Sequence, residues 1–143
     1  MAWTTPKTDW DLQYRWDYED INRIQDNLLY LRDYVANYGT TWFIVPRYYQ
    51  FDTGKTASSM FYAREMNAIE INLFRLNQAT MHIPTTVAPE YERNGPGPDF
   101  FEFNRIESLT LAIKEQLEAF IEANSEIIPK LAFTLGSMRE VKI

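Results

Sequence analysis

The residues Gly54, Lys55 and Thr56 form a short motif that could bind phosphate. They stand between a strand-like segment and a predicted helix, which is where a phosphate-binding loop places its Gly-Lys-Thr. That loop also needs an earlier glycine, so that backbone amides can surround the phosphates, and Tyr49 occupies its position here. The segment is therefore better explained as a turn followed by a helix cap at Thr56. No nucleotide or other cofactor is expected.

Residues that bind metals are few in this chain. His82 is the only histidine and there is no cysteine, which excludes disulfides, thiolate sites and a two-histidine metal site within one chain. The first four aspartates, Asp9, Asp11, Asp17 and Asp20, lack the dense spacing of a calcium loop. We therefore predict no metal site, and we expect His82 to be a solvated loop residue.

Pairs of acidic residues raise the question of glycoside cleavage, which uses two carboxyl groups. Glu65 and Glu70 form one such pair, and Glu115 and Glu118 form another. Both pairs lie in predicted helices among other polar residues, so solvated helix surface is the favoured interpretation. A single histidine leaves a Ser-His-Asp relay open, but no catalytic arrangement is recognised, so the sequence predicts a protein that is not an enzyme.

Three segments carry apolar residues at alternating steps of three and four, which is the pattern of amphipathic helices. The predicted helices cover about 18–38, 57–80 and 104–128. Asp17 is expected to cap the first, Thr56 or Ser58 the second, and Pro129 is expected to end the third. The periodic apolar residues are Ile21, Ile24, Leu28, Leu31 and Val35, then Met66, Ile69, Leu73 and Leu76, and finally Ile106, Leu109, Ile113, Leu117 and Phe120.

The three predicted helices share a motif that begins with asparagine. Asn-Arg-Ile-Gln-Asp-Asn-Leu starts at Asn22, Asn-Ala-Ile-Glu-Ile-Asn-Leu at Asn67, and Asn-Arg-Ile-Glu at Asn104. The copies are unequally spaced, which argues against a solenoid and suggests three helices with equivalent roles in a bundle. Chance similarity among amphipathic helices is the alternative, above all for the short third copy.

The remaining segments are predicted to be extended. Residues 40–51 are rich in β-branched and aromatic types but contain Pro46, and residues 131–142 are strand-like, so the two are candidates to pair. Residues 84–100 hold four of the seven prolines and form a long loop. The predicted fold class is mainly α: an extended aromatic arm at 1–17, then one helical domain at 18–143 built as a three-helix bundle.

Charge and hydropathy limit the classes of partner. The chain of 143 residues has a net charge of −6, and acidic residues outnumber basic ones in every third of it. Nucleic-acid binding needs clustered Lys and Arg, so no nucleic-acid partner is expected. No apolar run approaches the roughly 20 residues of a spanning helix, and no secretory signal is recognised, so no membrane association is expected.

The four tryptophans all lie in the first third of the chain. Tryptophan gives a large contact area at low entropic cost and is enriched in protein interfaces, although it equally serves as core of a small domain. The arm also contains Pro6 and has no helical period. Both interpretations stay open, and the interface interpretation predicts partner binding through Trp3, Pro6, Trp10, Trp16 and Trp42.

The N-terminal region resembles a segment of virion structural proteins, tail-associated or fibre-type, from tailed bacteriophages and prophages of Gram-positive bacteria. The resemblance covers roughly the first 35 residues: a Trp-x-x-Pro-Lys-Thr-x-Trp arm from Trp3 to Trp10, then an acidic helix with Asn22-Arg23-Ile24. The second helix follows the same theme, but Ala68 stands where arginine is expected. The resemblance implies a structural role with no catalytic residues, self-association, contact with other virion proteins, and location in the virion after synthesis in the host cytoplasm.

Two other functions compete with this expectation. A small helical adaptor or binding module of a bacterial cytoplasm is the alternative from another class. A cell-wall-degrading enzyme of the tail is the third, and the shortage of histidine and metal ligands argues against it.

Overall fold

The computed structural model describes residues 3–11, 16–49, 63–93, 95 and 97–142, with side chains described as far as residue 125. Three α-helices in mutual contact build the fold: α1 (Tyr18–Tyr34), α2 (Ala63–Ala79) and α3 (Phe100–Lys142). A π-helical segment, Val35–Gly39, continues α1. The prediction of a mainly α fold is confirmed. The described residues contain no strand.

Helix α1 begins as the sequence predicts. The Asp17 side chain accepts hydrogen bonds from the backbone N–H groups of Glu19 and Asp20, while the Asp20 carboxylate accepts one from the Asp17 N–H. This reciprocal capping satisfies N–H groups that the first turn of a helix leaves without partners. At the other end, a Cβ added at Gly39 would lie 3.1 Å from the Ile121 side chain. Glycine there allows the π-helical segment to approach α3 closely.

Helix α2 ends at Ala79, close to the predicted end at residue 80. Its predicted start at residue 57, and the caps expected at Thr56 or Ser58, lie outside the described residues. The turn after α2 places His82 at a positive φ of 52° with its side chain exposed.

Helix α3 differs most from the prediction of 104–128. It begins at Phe100, because the Asp99 carboxylate caps it by accepting from the Glu102 N–H. It continues through Pro129 to Lys142, so the predicted end at Pro129 and the predicted extended segment at 131–142 are both wrong. A proline removes only its own N–H bond and disturbs one earlier carbonyl, while the neighbours keep theirs. Good helix formers such as Leu131 and Ala132 follow it.

The segment predicted at 40–51 is irregular over residues 43–49, and 50–51 lie outside the described residues. The predicted pairing with the C-terminal segment is wrong, because that segment is helical. Side chains from helices take up several of the backbone bonds that a neighbouring strand would supply. Arg32 donates to the Pro46 carbonyl, and Asn72 bonds to both backbone groups of Tyr49.

One apolar core lies between the three helices. The predicted periodic residues of all three helices are buried in it, except Phe120, which is at the surface. Complete burial of such side chains stabilises the fold by about 1.5–3 kcal/mol each. Residues from outside the helices also join the core cluster, namely Trp10 from the arm and Tyr91 from the loop before α3.

Candidate functional site

The residues predicted to bind partners lie against the chain's own bundle. Trp10 is only 4% exposed and stacks on Phe103 with ring centroids 4.9 Å apart. Pro6 is buried, and the other three, Trp3, Trp16 and Trp42, are half-buried and pack on the core cluster. The described part of the arm is therefore a component of this domain. Partner binding through these residues stays a prediction.

A single buried carboxylate, that of Glu107 in α3, anchors the arm. Glu107 is 1% exposed and accepts hydrogen bonds from Arg23 Nε at 2.6 Å and Arg23 Nη2 at 3.0 Å. The Trp10 indole N–H and the Lys7 backbone N–H donate to the same carboxylate. Asp20 binds the far side of the Arg23 guanidinium at 2.9 Å. A buried charge is tolerated only when it is paired and fully hydrogen-bonded. The partners of Glu107 come from α1 and from the arm, so the cluster joins α1, α3 and the arm.

Asparagine side chains hold the arm at two further points. Asn104 accepts from the Trp10 N–H at 2.8 Å and donates to the Trp10 carbonyl at 2.9 Å. Asn27 holds Thr4 in the same way, at 3.0 and 2.8 Å. A side-chain amide thus satisfies both backbone groups of one extended residue, as a neighbouring strand would. We call this arrangement an asparagine clamp.

The same clamp recurs at the segments that precede the other helices. Asn72 clamps Tyr49, which belongs to the segment before α2. Asn67 clamps Tyr91, which belongs to the segment before α3. Thr4 also precedes Asn22 by the same number of residues as Tyr49 precedes Asn67. The repeated unit is therefore larger than the helix motif found in the sequence, because it includes the extended segment before the helix.

A second buried ion cluster links α2 to α3. Arg105 Nη2 donates to the two carboxylate oxygens of Glu70 at 2.6 and 2.7 Å, and it also binds Glu102. Burial raises the pKa of Glu70, and the adjacent guanidinium opposes that shift. The interpretation of Glu70 as solvated helix surface is wrong, because Glu70 is 6% exposed and paired. Glu65, from the same predicted pair, is buried as well.

The two ion clusters occupy equivalent positions of the shared motif. In each, the motif arginine of one helix binds the motif glutamate of another: Arg23 with Glu107, and Arg105 with Glu70. The remaining arginine position, in α2, is occupied by Ala68, and the remaining glutamate position, in α1, by Gln25. Both residues are buried. The arginine and the glutamate are thus both replaced by uncharged residues. Within the part of the chain that the structure describes, neither amide atom of Gln25 has a hydrogen-bond partner.

The outer surface of α2 carries the main candidate for contact with another protein. A groove of about 540 Å³ runs along it, between the segment containing Tyr49 and the segment containing Val87. Phe74 is 63% exposed and Val87 95% exposed, and Tyr49 and Ile71 line the same groove. We call these four side chains the α2 surface. Contiguous exposed apolar residues of this kind mark interaction sites in many proteins.

The binding roles of Glu107, Glu70 and the asparagines were not predicted from the sequence. The signal was present in the shared motif, where Asn, Arg and Glu recur in register. The pattern does not show which residue each polar side chain binds. The described residues contain no group of three or more side chains suited to a metal ion, and no described helix is long and apolar enough to cross a membrane.

Comparison with known proteins returned no relative: no family model, no curated protein and no solved structure matches the chain.

Proposed function

We propose that this chain is a structural component of a tailed-phage particle, in the tail, the baseplate or a fibre attachment, and that it works by protein–protein assembly. The particle setting rests on the resemblance of the N-terminal arm and first helix to virion structural proteins. The assembly role rests on the α2 surface, where Phe74 and Val87 are exposed beside a groove. Homo-oligomerisation and contact with other virion proteins are the expected interactions.

The α2 surface has the composition of an interface centre. Aromatic and aliphatic side chains dominate it. An exposed aromatic residue lies beside a groove, so one copy of the surface can insert a side chain into the groove of another copy. A surface that is complementary to itself is what a twofold-symmetric dimer requires. Self-association through this surface is therefore the first interaction to test.

Light scattering after gel filtration tests self-association across a concentration series. We expect a mass above that of one chain of 16.9 kDa, and a return to one chain in the variant Phe74→Ser. Phe101→Ser is the matched control, because Phe101 is 67% exposed on α3 and does not line the groove. A wild-type mass of one chain at all concentrations would argue against assembly through copies of this chain alone.

The particle setting needs a separate experiment. Mass spectrometry of purified particles, from the phage or prophage that carries the gene, should detect the chain at a constant copy number per particle. Labelled antibody in electron micrographs should then place it at the tail or its attachments. Recovery of the chain only from the host cytoplasm would favour the alternative, a small helical adaptor. Release of fragments from purified cell wall would favour the enzyme.

A further inference from the structure

A pocket lined by tyrosines lies at the end of α1, away from the α2 surface. It has a volume of about 670 Å³ and is formed by the last turns of α1, the π-helical segment and the facing side of α3. Its lining includes Tyr30, Tyr34, Tyr38, Asp33, Asn37 and Glu122. We call it the tyrosine pocket.

Three aromatic rings form one wall of the tyrosine pocket. The Tyr30 and Tyr34 rings lie 6.3 Å apart, and the Tyr34 and Tyr38 rings 5.0 Å apart, centroid to centroid. Burial raises the pKa of Tyr34, and the negative charges of Glu118 and Glu122 raise it further. The hydroxyl therefore stays protonated at neutral pH, so the ring keeps the electron-rich face of a neutral phenol.

Among the lining residues that the structure describes, the charged side chains are all negative. Asp33 and Glu122 line it, and neither carboxylate forms an ion pair within the described part of the chain. No lysine or arginine is among the described lining residues; the nearby Lys114 binds Glu118 and lies over the Trp3 ring. An anion would be repelled here, and an uncharged apolar group would desolvate two carboxylates without return.

We propose that the tyrosine pocket binds an organic cation, that is, an alkylammonium or guanidinium group. Such a group is attracted by aromatic faces and by carboxylates, and this pocket offers both together. The π-helical segment contributes Asn37 and Tyr38 to the lining, and π-helical turns occur frequently at functional sites. The cation comes either from a free small molecule or from a lysine or arginine of a partner. This inference does not depend on a particle setting.

Titrations of the full chain, followed by NMR of its tyrosine ring resonances, test the proposal at constant ionic strength. The probes are tetramethylammonium, Nα-acetyl-arginine methylamide and Nα-acetyl-lysine methylamide, with tert-butanol as the uncharged control and acetate as the anionic one. We expect saturable shifts of the Tyr34 and Tyr38 resonances with half-saturation at about 1–10 mM for cations only. Tighter binding of the amino-acid probes points to a partner protein, and tighter binding of tetramethylammonium to a small molecule.

Charge-removing variants give the decisive comparison. The double variant Asp33→Asn with Glu122→Gln should weaken cation binding about tenfold, because a half-buried and an exposed carboxylate each contribute modestly. Tyr38→Leu should weaken it as well, and none of these three side chains belongs to the buried core, so the fold should survive. Glu115→Gln, exposed on α3 outside the pocket, is the matched control and should bind as wild type. Equal shifts with tert-butanol, or unchanged binding in the double variant, would overturn the proposal.

Discussion

The shared motif supplies two kinds of buried position to this bundle, one charged and paired, the other uncharged. Where arginine and glutamate face each other, as in Arg23–Glu107 and Arg105–Glu70, buried charge is retained and fully paired. At the equivalent positions Gln25 and Ala68 both charges are absent. The arginine and the glutamate are both absent there, and this avoids the cost of an unpaired buried charge.

The comparison also explains why the arm is ordered at the Arg23–Glu107 cluster. Glu107 has more acceptor capacity than one guanidinium uses, and the Trp10 indole and the Lys7 N–H fill the remainder. A buried carboxylate therefore does more than link two helices. It also binds the N-terminal arm, an extended segment without a helical pattern of its own.

The largest expected effect is that of Glu107→Ala. It leaves the partly buried Arg23 guanidinium with Asp20 and removes the acceptor of the Trp10 indole. We expect a loss of about 3–5 kcal/mol in the free energy of unfolding, measured by urea denaturation. The control Glu115→Ala, on the exposed side of α3, should change it by less than about 0.5 kcal/mol. Similar losses in both variants would contradict the anchoring role of Glu107.

Next in size is Gln25→Glu, which adds the motif carboxylate without its arginine. Burial without a cation raises the pKa of the new carboxyl in the folded state, so the charged form opposes folding. We expect urea denaturation to show a loss of about 2–4 kcal/mol in the free energy of unfolding at pH 7. The loss should shrink as the pH falls through the raised pKa of the folded state and disappear below about 4.3, the ordinary glutamate pKa, where the unfolded chain is protonated too.

Adding Ala68→Arg to Gln25→Glu sharpens that prediction. If the positions are equivalent to Arg105 and Glu70, the double variant should be more stable than the sum of the single changes predicts, by about 0.5–3 kcal/mol in a double-mutant cycle. Additive effects would show that residues 25 and 68 do not face each other as the two ion pairs do.

A smaller effect is expected for Asn104→Ala, which removes one asparagine clamp. The N–H and the carbonyl of Trp10 then lose their hydrogen bonds to Asn104, at a cost of about 1–3 kcal/mol in a thermal or urea unfolding experiment. Increased exposure of Trp10 should shift the tryptophan emission towards longer wavelengths. Asn124→Ala is the control, because the described residues give Asn124 one hydrogen bond, to the Phe120 carbonyl of its own helix. Equal destabilisation by the two would mean that the clamp contributes nothing specific.

The smallest effect is predicted for Gln25→Leu. Both amide atoms of Gln25 are buried and find no partner among the described residues, so replacing them with an apolar side chain of similar size removes an unfavourable burial. The free energy of unfolding should stay unchanged or rise by about 0–1 kcal/mol. A loss beyond about 2 kcal/mol would reveal an interaction of Gln25 that the structure does not show.

Sequence periodicity was sufficient for the three helices and for most of the core. Apolar steps of three and four identify the buried face of each helix, and Asp17 identifies the start of α1, because these signals are local. Local signals also failed at the C-terminal end of α3. Pro129 and the β-prone residues after it suggested an end and an extended segment, whereas α3 continues to Lys142.

The sequence by itself determined the three amphipathic helices, the repeated Asn-Arg-Ile-Glu positions and the uniform negative charge. The tertiary structure decided what the repeated polar residues bind, since Glu107 meets Arg23 and Asn104 meets Trp10 from distant parts of the chain. It also decided that the arm packs on this bundle and that Phe74 stays at the surface. A pattern along the chain records which residues share a helix face, but a pairing between distant residues exists only after the helices have packed.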